Sequence, residues 1–536
     1  VSAPSPRAER GRRRQLDRES LKTGIGTLAS RVTGLLRLIT LAYALGGQRL
    51  ADAFNLANNT PNIVHDLVLG GVLGATFIPV FIDNLVRKAR KDAVQSISAV
   101  LTLAALILIG ATLLFEIFAP QIIDLYTLGA TSPIEHHVAV ELLRLFAPQL
   151  LFYGAISLMS AVLATQDRFA LVGFVAVLNN VLGIIIFLIF ANITHAHSGD
   201  LLARVNADSG LLYLLGIGMT AGVAVQALAL VVPTRRLRMG LRPVLSLKDG
   251  AVQRIVSLSG WTFGFVIANQ LAVFIVLALA FHVGHGAVSA YTYAYTFFQL
   301  PFGVVAVSII NVASPDFARS HAAGKQREMG ERLGVAAKQM LALILPATAG
   351  YLVLAKPIVA LLLQHGAEHA AQASDAASVL AMFALGLPGF CLFFLVVRVL
   401  QAAQDTRMAF VLYVVENGAN IVFALALYQR LGAKGLALSF SIAYTIGALC
   451  GLALLRERLG TIGGRPIARA AFRSAILSAV MLVVVAFVSA LVGTGAGPIG
   501  WIKLLFTIAI GLVVYIGGAG TLGALSPWQT SRRKSR

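Results

Sequence analysis

Charge is what this chain has least of: Asp, Glu, Lys and Arg make up 12% of its 536 residues, against 58% hydrophobic residues and a mean hydropathy of +0.82. An ordinary soluble domain carries about 25% charged residues, so that class is excluded and a polytopic membrane protein is described. Cysteine is nearly missing. Cys391 and Cys450 both fall inside apolar runs, which leaves neither a disulfide framework nor a cysteine metal site. Catalytic signatures are missing too: there is no His-Glu-x-x-His, no phosphate-cradling Gly-x-x-x-x-Gly-Lys, no nucleophile elbow and no paired carboxylates at membrane depth. The chain is therefore expected not to be an enzyme and to need no cofactor. Energy for any movement of cargo would come from Na+ or H+ coupling, from the membrane potential or from a partner. No cleavable signal peptide is expected, because the first apolar run is long and lacks a small-residue cleavage site.

What is present is a series of apolar runs. Fourteen are long enough to span a bilayer, at 22–47, 51–84, 94–119, 137–164, 169–192, 210–234, 255–283, 287–318, 333–355, 376–403, 407–429, 434–455, 470–493 and 499–524. The second, eighth and tenth have length to spare for a tilt or kink. The formal charge of +20 suggests nucleic acid at first sight, but its distribution argues for topology, and no nucleic-acid partner is expected. Basic residues crowd alternate loops: Arg7 to Lys22, Arg87 to Lys91, Arg235 to Arg254, Arg319 to Arg332 and Arg456 to Arg473. The intervening loops hold His, Asp and Glu instead, as at Asp124, Glu135, His195, Glu368 and Asp375. By the positive-inside rule both termini are cytoplasmic, which an even number of spans requires. The basic N-terminal tail reads as a topology anchor or as a binder of anionic lipid headgroups.

The runs repeat. Ala-Thr-Gln-Asp-Arg at 164–168 and Ala-Ala-Gln-Asp-Thr-Arg at 402–407 end spans four and ten. The shift that places Gln166 on Gln404 also places Asp167 on Asp405 and Asn179 on Asn417. Spans two and eight both open near a proline, Pro61 and Pro301, and both close on Pro-x-Phe. The expected fold is thus an all-α polytopic membrane protein of 14 transmembrane helices, built as two six-helix lobes related by a parallel repeat plus two C-terminal helices. The boundaries are a tail at 1–21, an N-lobe at 22–238, a C-lobe at 239–458, the added helices at 459–526 and a basic tail at 527–536. Parallel repeats are a known transporter architecture, with the substrate between the halves and alternating access by rocking. Duplicated bundles also build channels and scaffolds, but the intramembrane charges concentrate in span one and form no rings along a pore.

That concentration is Arg31 and Arg37. An arginine at mid-bilayer costs roughly 2.5–3.5 kcal/mol on insertion scales, so it normally faces a wet cavity or an anionic ligand. Arg31 lies nine residues past the start of its span, about 14 Å deep at 1.5 Å per residue. In a straight helix Arg37 points about 120° away from it; Gly34 between them would allow a bend. The competing reading is a structural tie from one of the two to Asp52 or to a free carbonyl. His65 and Asp66 follow a helix break and read either as a proton-sensitive pair or as a cap. Arg144 and Arg398 are further intramembrane cations, and Arg398 is within reach of a cytoplasmic vestibule. Glu416, Asn417 and Asn420, with Asn269 and Gln270, could hold a small cation through oxygen ligands or serve as interhelical hydrogen-bond glue.

Ser-Arg-Val-Thr-Gly-Leu-Leu-Arg (30–37), Ala-Asp-Ala-Phe-Asn-Leu-Ala-Asn (51–58), Pro-Asn-Ile-Val (61–64), Ala-Thr-Phe-Ile-Pro-Val-Phe (75–81), Gln-Leu-Pro-Phe-Gly-Val-Val-Ala-Val-Ser-Ile (299–309) and Ala-Gln-Asp-Thr-Arg (403–407) resemble the MurJ/MviN family. These are lipid II flippases of the multidrug/oligosaccharidyl-lipid/polysaccharide exporter superfamily, and the resemblance runs from about residue 21 to the end. It implies transfer of undecaprenyl-diphosphate-linked disaccharide pentapeptide from the inner to the outer leaflet of the bacterial cytoplasmic membrane. It also implies that Arg31 and Arg37 hold the diphosphate, that Asp52 belongs to an outer gate and that the two last helices form a groove for the lipid tail. Implied partners are lipid II, membrane lipids and cell-wall synthesis or division proteins. The chain departs from the family pattern at His65, Asp66, Gly70 and Ala294-Tyr295-Thr296, where two cavity arginines and a glutamate are replaced. A flippase for another polyprenyl-linked glycan, and a scaffold that recruits wall enzymes without transport, are the alternatives. A small-cation-drug antiporter fits less well, since its cavity should offer carboxylates.

Overall fold

The computed structural model describes residues 6–46, 48–65, 90–127, 132–164, 169–195, 200–237, 240, 242–246, 249–365, 370–460, 462–493 and 497–521. The bend expected at Gly70 to Pro79, Asp66, the Gln166-Asp167 pair and the tail at 527–536 lie outside them. Helices follow one another as α1 (Pro6–Leu45), α2 (Arg49–His65), α3 (Arg90–Thr127), α4 (Pro133–Phe146), α5 (Gln149–Ala164), α6 (Phe169–Thr194), α7 (Leu201–Ala207), α8 (Ser209–Arg236) and α9 (Gly250–Val283). The series continues with α10 (Ala287–Pro301), α11 (Val307–Ala322), α12 (Gln326–Leu363), α13 (Ala370–Ala402), α14 (Thr406–Leu431), α15 (Ala433–Leu459), α16 (Gly464–Val492) and α17 (Gly497–Thr521).

Among the described residues, 13 helical stretches are long and apolar enough to cross a membrane. They coincide with the first and with the third to fourteenth expected spans, and α2 is the beginning of the second. Two spans are interrupted for local reasons. Proline has no N–H to donate and its ring crowds the preceding turn, so the fourth span breaks at Ala147-Pro148 between α4 and α5. The eighth passes through a π-helical turn, Phe302–Ala306, directly after Pro301.

The chain forms two compact units, Val1–Gln270 and Leu271–Arg536, and the division falls inside α9. In the first, α1 lies along α6, α2 packs on α4, α3 on α4 and α5, and α8 on α5 and α6. The second repeats that scheme: α10 packs on α13, α12 on α13, α13 on α15, and α14 on α15. Span two with four, three with four, four with six and five with six thus recur as eight with ten, nine with ten, ten with twelve and eleven with twelve. This recurrence is the duplication expected from the Gln-Asp motifs.

Close approach in the second unit depends on missing side chains. A Cβ on Gly386 would lie 2.5 Å from Ser441 Cα, and one on Gly389 would lie 2.6 Å from Thr445 Oγ1, so α13 and α15 meet backbone to backbone. Beside that crossing the rings of Phe298, Phe383, Phe390, Phe440 and Tyr444 interlock, with Phe440 and Tyr444 centroids 4.4 Å apart. The two C-terminal helices pack on α12 through Leu477, Met481, Leu504, Tyr515 and Ala519, and the Tyr515 hydroxyl donates to the Ala342 carbonyl at 2.6 Å. Large apolar side chains such as Leu113, Ile117, Phe487, Leu491 and Val513 stay exposed, as lipid-facing residues must.

Candidate functional site

The first span is a single helix that runs unbroken through Gly34 and carries Arg31 and Arg37 about 9 Å apart along its axis. Arg31 is exposed and Arg37 half-buried. Neither guanidinium forms an ion pair or a side-chain hydrogen bond among the described residues, so the structural tie to Asp52 is not observed. What holds α1 is α6. The Asn180 amide donates to the Ser30 carbonyl at 3.0 Å and to Thr33 Oγ1 at 3.1 Å, which locks the turn that carries Arg31. One turn further on, a Cβ on Gly183 would lie 3.0 Å from both Cδ and Nε of Arg37, so the arginine stem rests directly on α6.

Asp52 stands in the first turn of α2, 1% exposed, after the reversal at Gly46, whose φ of 72° suits a residue without a side chain. Two residues later Phe54 wedges edge-on against Phe146 of α4 at 5.4 Å and Phe187 of α6 at 5.6 Å. That wedge fixes the depth of Asp52. His65 ends α2, and its side chain lies outside the described residues. Asn269 donates to Gln270 Oε1 at 3.3 Å, and Gln270 donates to the Ile63 carbonyl of α2 at 3.0 Å. Both therefore work inside the first unit. Arg144 pairs with Glu141 one turn away at 2.8 Å.

In the second unit Glu416, Asn417 and Asn420 share a buried side of α14. The Asn417 amide donates to the Tyr413 carbonyl at 2.8 Å, and Asn420 Oδ1 accepts from Ser439 of α15 at 3.0 Å. Of these two bonds the one at Asn420 joins α14 to α15, as interhelical glue would, whereas the one at Asn417 stays within α14. Glu416 differs. It is 0% exposed, and neither carboxylate oxygen has a hydrogen-bond partner among the described residues. Its Cβ sits against Gly447 of α15, and Phe393, Tyr413 and Tyr444 stack edge-on around the same turn. An unpaired carboxylate is stable in such a place only when a proton or a small cation neutralises it. Arg398 is exposed and donates to Gln401 at 3.3 Å. Beyond it, Asp405 caps α14 by accepting from the Met408 N–H at 3.1 Å and pairs with Arg458 at the end of α15.

Asn180 and Gly183 are the residues that sequence reasoning misses. The Asn179-Asn180 doublet inside an otherwise apolar run is a signal; Gly183, one of 50 glycines, carries none.

A family model described as lipid II flippase MurJ matches residues 41–506. A probable lipid II flippase MurJ of Rhizobium meliloti is 28% identical over 431 residues, 80% of this chain and 78% of the relative. One of Thermotoga maritima is 25% identical over 499 residues, 93% of this chain and 95% of the relative. Among solved structures, a lipid II flippase MurJ in an inward closed conformation superposes with a TM-score of 0.75 at 21% identity, covering 93% of this chain and 98% of the other. An inward-facing multidrug resistance MATE family transporter of the MOP superfamily gives 0.64 at 14% identity, covering 80% and 94%.

Proposed function

The chain belongs to the lipid II flippase MurJ family, and on that premise we propose that Arg31 and Arg37 bind the diphosphate of lipid II while it moves from the inner to the outer leaflet. The protein is a multi-pass transporter of the bacterial cytoplasmic membrane. The observation that carries the binding assignment is that two arginines on one apolar helix have no acidic partner among the described residues, with Arg37 seated on Gly183. Each guanidinium keeps its five donors for phosphate oxygens, which it meets in a bidentate fork. Away from bulk water that attraction is much stronger than at an exposed surface.

In this reading Asp52 belongs to the outer gate. Both termini are cytoplasmic, so α1 runs outward from the basic tail. The arginines hold the headgroup while the lobes exchange access, and the inside-negative potential favours return of the emptied, positively charged site. Glu416 takes up the coupling H+ or Na+, with Asn420 four residues on as a further side-chain oxygen of the same helix. Enzymes that consume the flipped precursor outside are the expected protein partners.

The test is genetic and chemical together. A bacterium depleted of its own lipid II flippase receives the parent, Arg31→Ala or Arg37→Ala at equal membrane levels, and outer-leaflet lipid II is assayed. The parent is expected to sustain growth and each variant to lower outer-leaflet lipid II at least tenfold. Full activity of both variants would overturn the arginine site. Failure of a well-expressed parent would point to another polyprenyl-linked glycan, consistent with His65 and Asp66 standing where the family pattern has arginines.

A further inference from the structure

A cavity of about 320 Å³ lies where α12 ends, α16 ends and α17 begins. Its polar lining is Lys356, Gln364 and His365 of α12 and the residues after it, Ser489 of α16, and Lys503 and Thr507 of α17; among the described residues no acidic side chain lines it. Neither lysine forms an ion pair or a side-chain hydrogen bond among the described residues. The apolar wall is Leu354, Leu361 and Leu504, which continue into the core joining the three helices.

Snorkelling explains a single lysine near a helix end. It does not explain two on separate helices that converge on one concavity with four further polar side chains. Lys503 is four residues, about 6 Å, inside the apolar stretch that begins at Ile499, and it is only half-exposed. The basic loops lie at the opposite ends of these helices, at Lys325 to Arg332 before and within α12 and at Arg465 to Arg473 in α16. Lys356 and Lys503 therefore stand apart from the residues that set topology.

We infer that this cavity holds the phosphate of an anionic lipid in the outer leaflet, with Lys356 and Lys503 as its counter-charges and the hydroxyl of Ser489 as a further donor, the Thr507 hydroxyl being donated to the Lys503 carbonyl at 2.8 Å. The lipid chains would lie along the exposed apolar faces of α16 and α17, where Phe487, Leu491, Ile499 and Ile502 are uncovered. The outer placement rests on the orientation proposed above; the phosphate site itself does not.

Native mass spectrometry of the purified full chain tests the site, with phosphatidylglycerol, undecaprenyl diphosphate and phosphate-free diacylglycerol as probes. The parent should bind one equivalent of a phosphate lipid that diacylglycerol does not replace. Lys356→Ala combined with Lys503→Ala should weaken it about tenfold, while the double Lys→Arg variant should retain it. Preference for undecaprenyl diphosphate would assign the cavity to the flipped product, and equal binding of phosphatidylglycerol would assign it to the bulk leaflet; both support a phosphate site. Unchanged binding by a folded double-alanine variant, or equal binding of diacylglycerol, would overturn it. Lys503→Cys labelled on whole cells by a membrane-impermeant thiol reagent checks sidedness separately. Labelling only in inverted vesicles would overturn the outer placement and leave the detergent result standing.

Discussion

At the scale of single residues, the arginines of α1 depend on partners that carry no charge. Gly183 is the sharpest case, because any side chain there meets the Arg37 stem. Gly183→Leu is therefore expected to displace the guanidinium and to reproduce the loss of outer-leaflet lipid II expected of Arg37→Ala. Gly110→Leu in α3, where a Cβ would meet nothing within 4 Å, should leave flipping unchanged and serves as the control. Asn180 acts through two hydrogen bonds to α1. Interhelical hydrogen bonds in membranes average about 0.6 kcal/mol, so Asn180→Ala should destabilise the protein by roughly 1 kcal/mol in a denaturant titration. It should lower flipping too, since the turn that carries Arg31 is then free to shift.

At the scale of helices, the junction between α13 and α14 is a device that can be tuned. Asp405 caps α14 and also pairs with Arg458. Asp405→Ala removes both contacts and should cost about 1 kcal/mol, the usual worth of an N-cap. Asp405→Asn keeps the cap and loses only a partly exposed ion pair, so it should cost a few tenths of a kcal/mol. Immediately before it, Gln404 adopts a φ of 58°, where a Cβ is crowded by the backbone. Gln404→Gly should therefore stabilise by up to about 1 kcal/mol. Thermal unfolding of the three variants in one detergent should place Gln404→Gly highest, Asp405→Asn next and Asp405→Ala lowest. The same turn shows how a short motif spans scales, since Gln404 and Asp405 are half of the signature by which the internal repeat is recognised.

At the scale of the whole molecule, transport requires that something outside the arginine helix drive the cycle. Glu416 combines complete burial with carboxylate oxygens that have no partner among the described residues, deep in the second unit. Glu416→Gln keeps the shape and removes the charge. In proteoliposomes with an imposed H+ or Na+ gradient, the parent should accelerate lipid II transfer and Glu416→Gln should proceed at one rate whatever the gradient. Lipid II binding by the variant should be unaltered, because Arg31 and Arg37 are untouched. A variant that still responds to both gradients would remove Glu416 from the coupling step.

Hydropathy and charge placement, which need no folding, determined the membrane class and the spans, because burying about 20 apolar residues in lipid is a local requirement, and the repeated Gln-Asp motif marked the internal duplication. The two arginines were legible for the same reason: a charge in an apolar run is conspicuous wherever the chain goes. Contacts between helices were not legible, because they depend on rotation about axes that hydropathy leaves free. Tertiary structure alone decided that Asn180 and Gly183 serve Arg31 and Arg37, and that Asn269 is engaged beside Gln270 in the first unit. It alone decided that Arg398 points to an exposed edge, that Glu416 is left without a described partner while Asn417 and Asn420 bond to their surroundings, and that Lys356 and Lys503 converge. Each of these is a matter of which groups meet across several ångströms between helices distant in sequence, and only packing sets that distance.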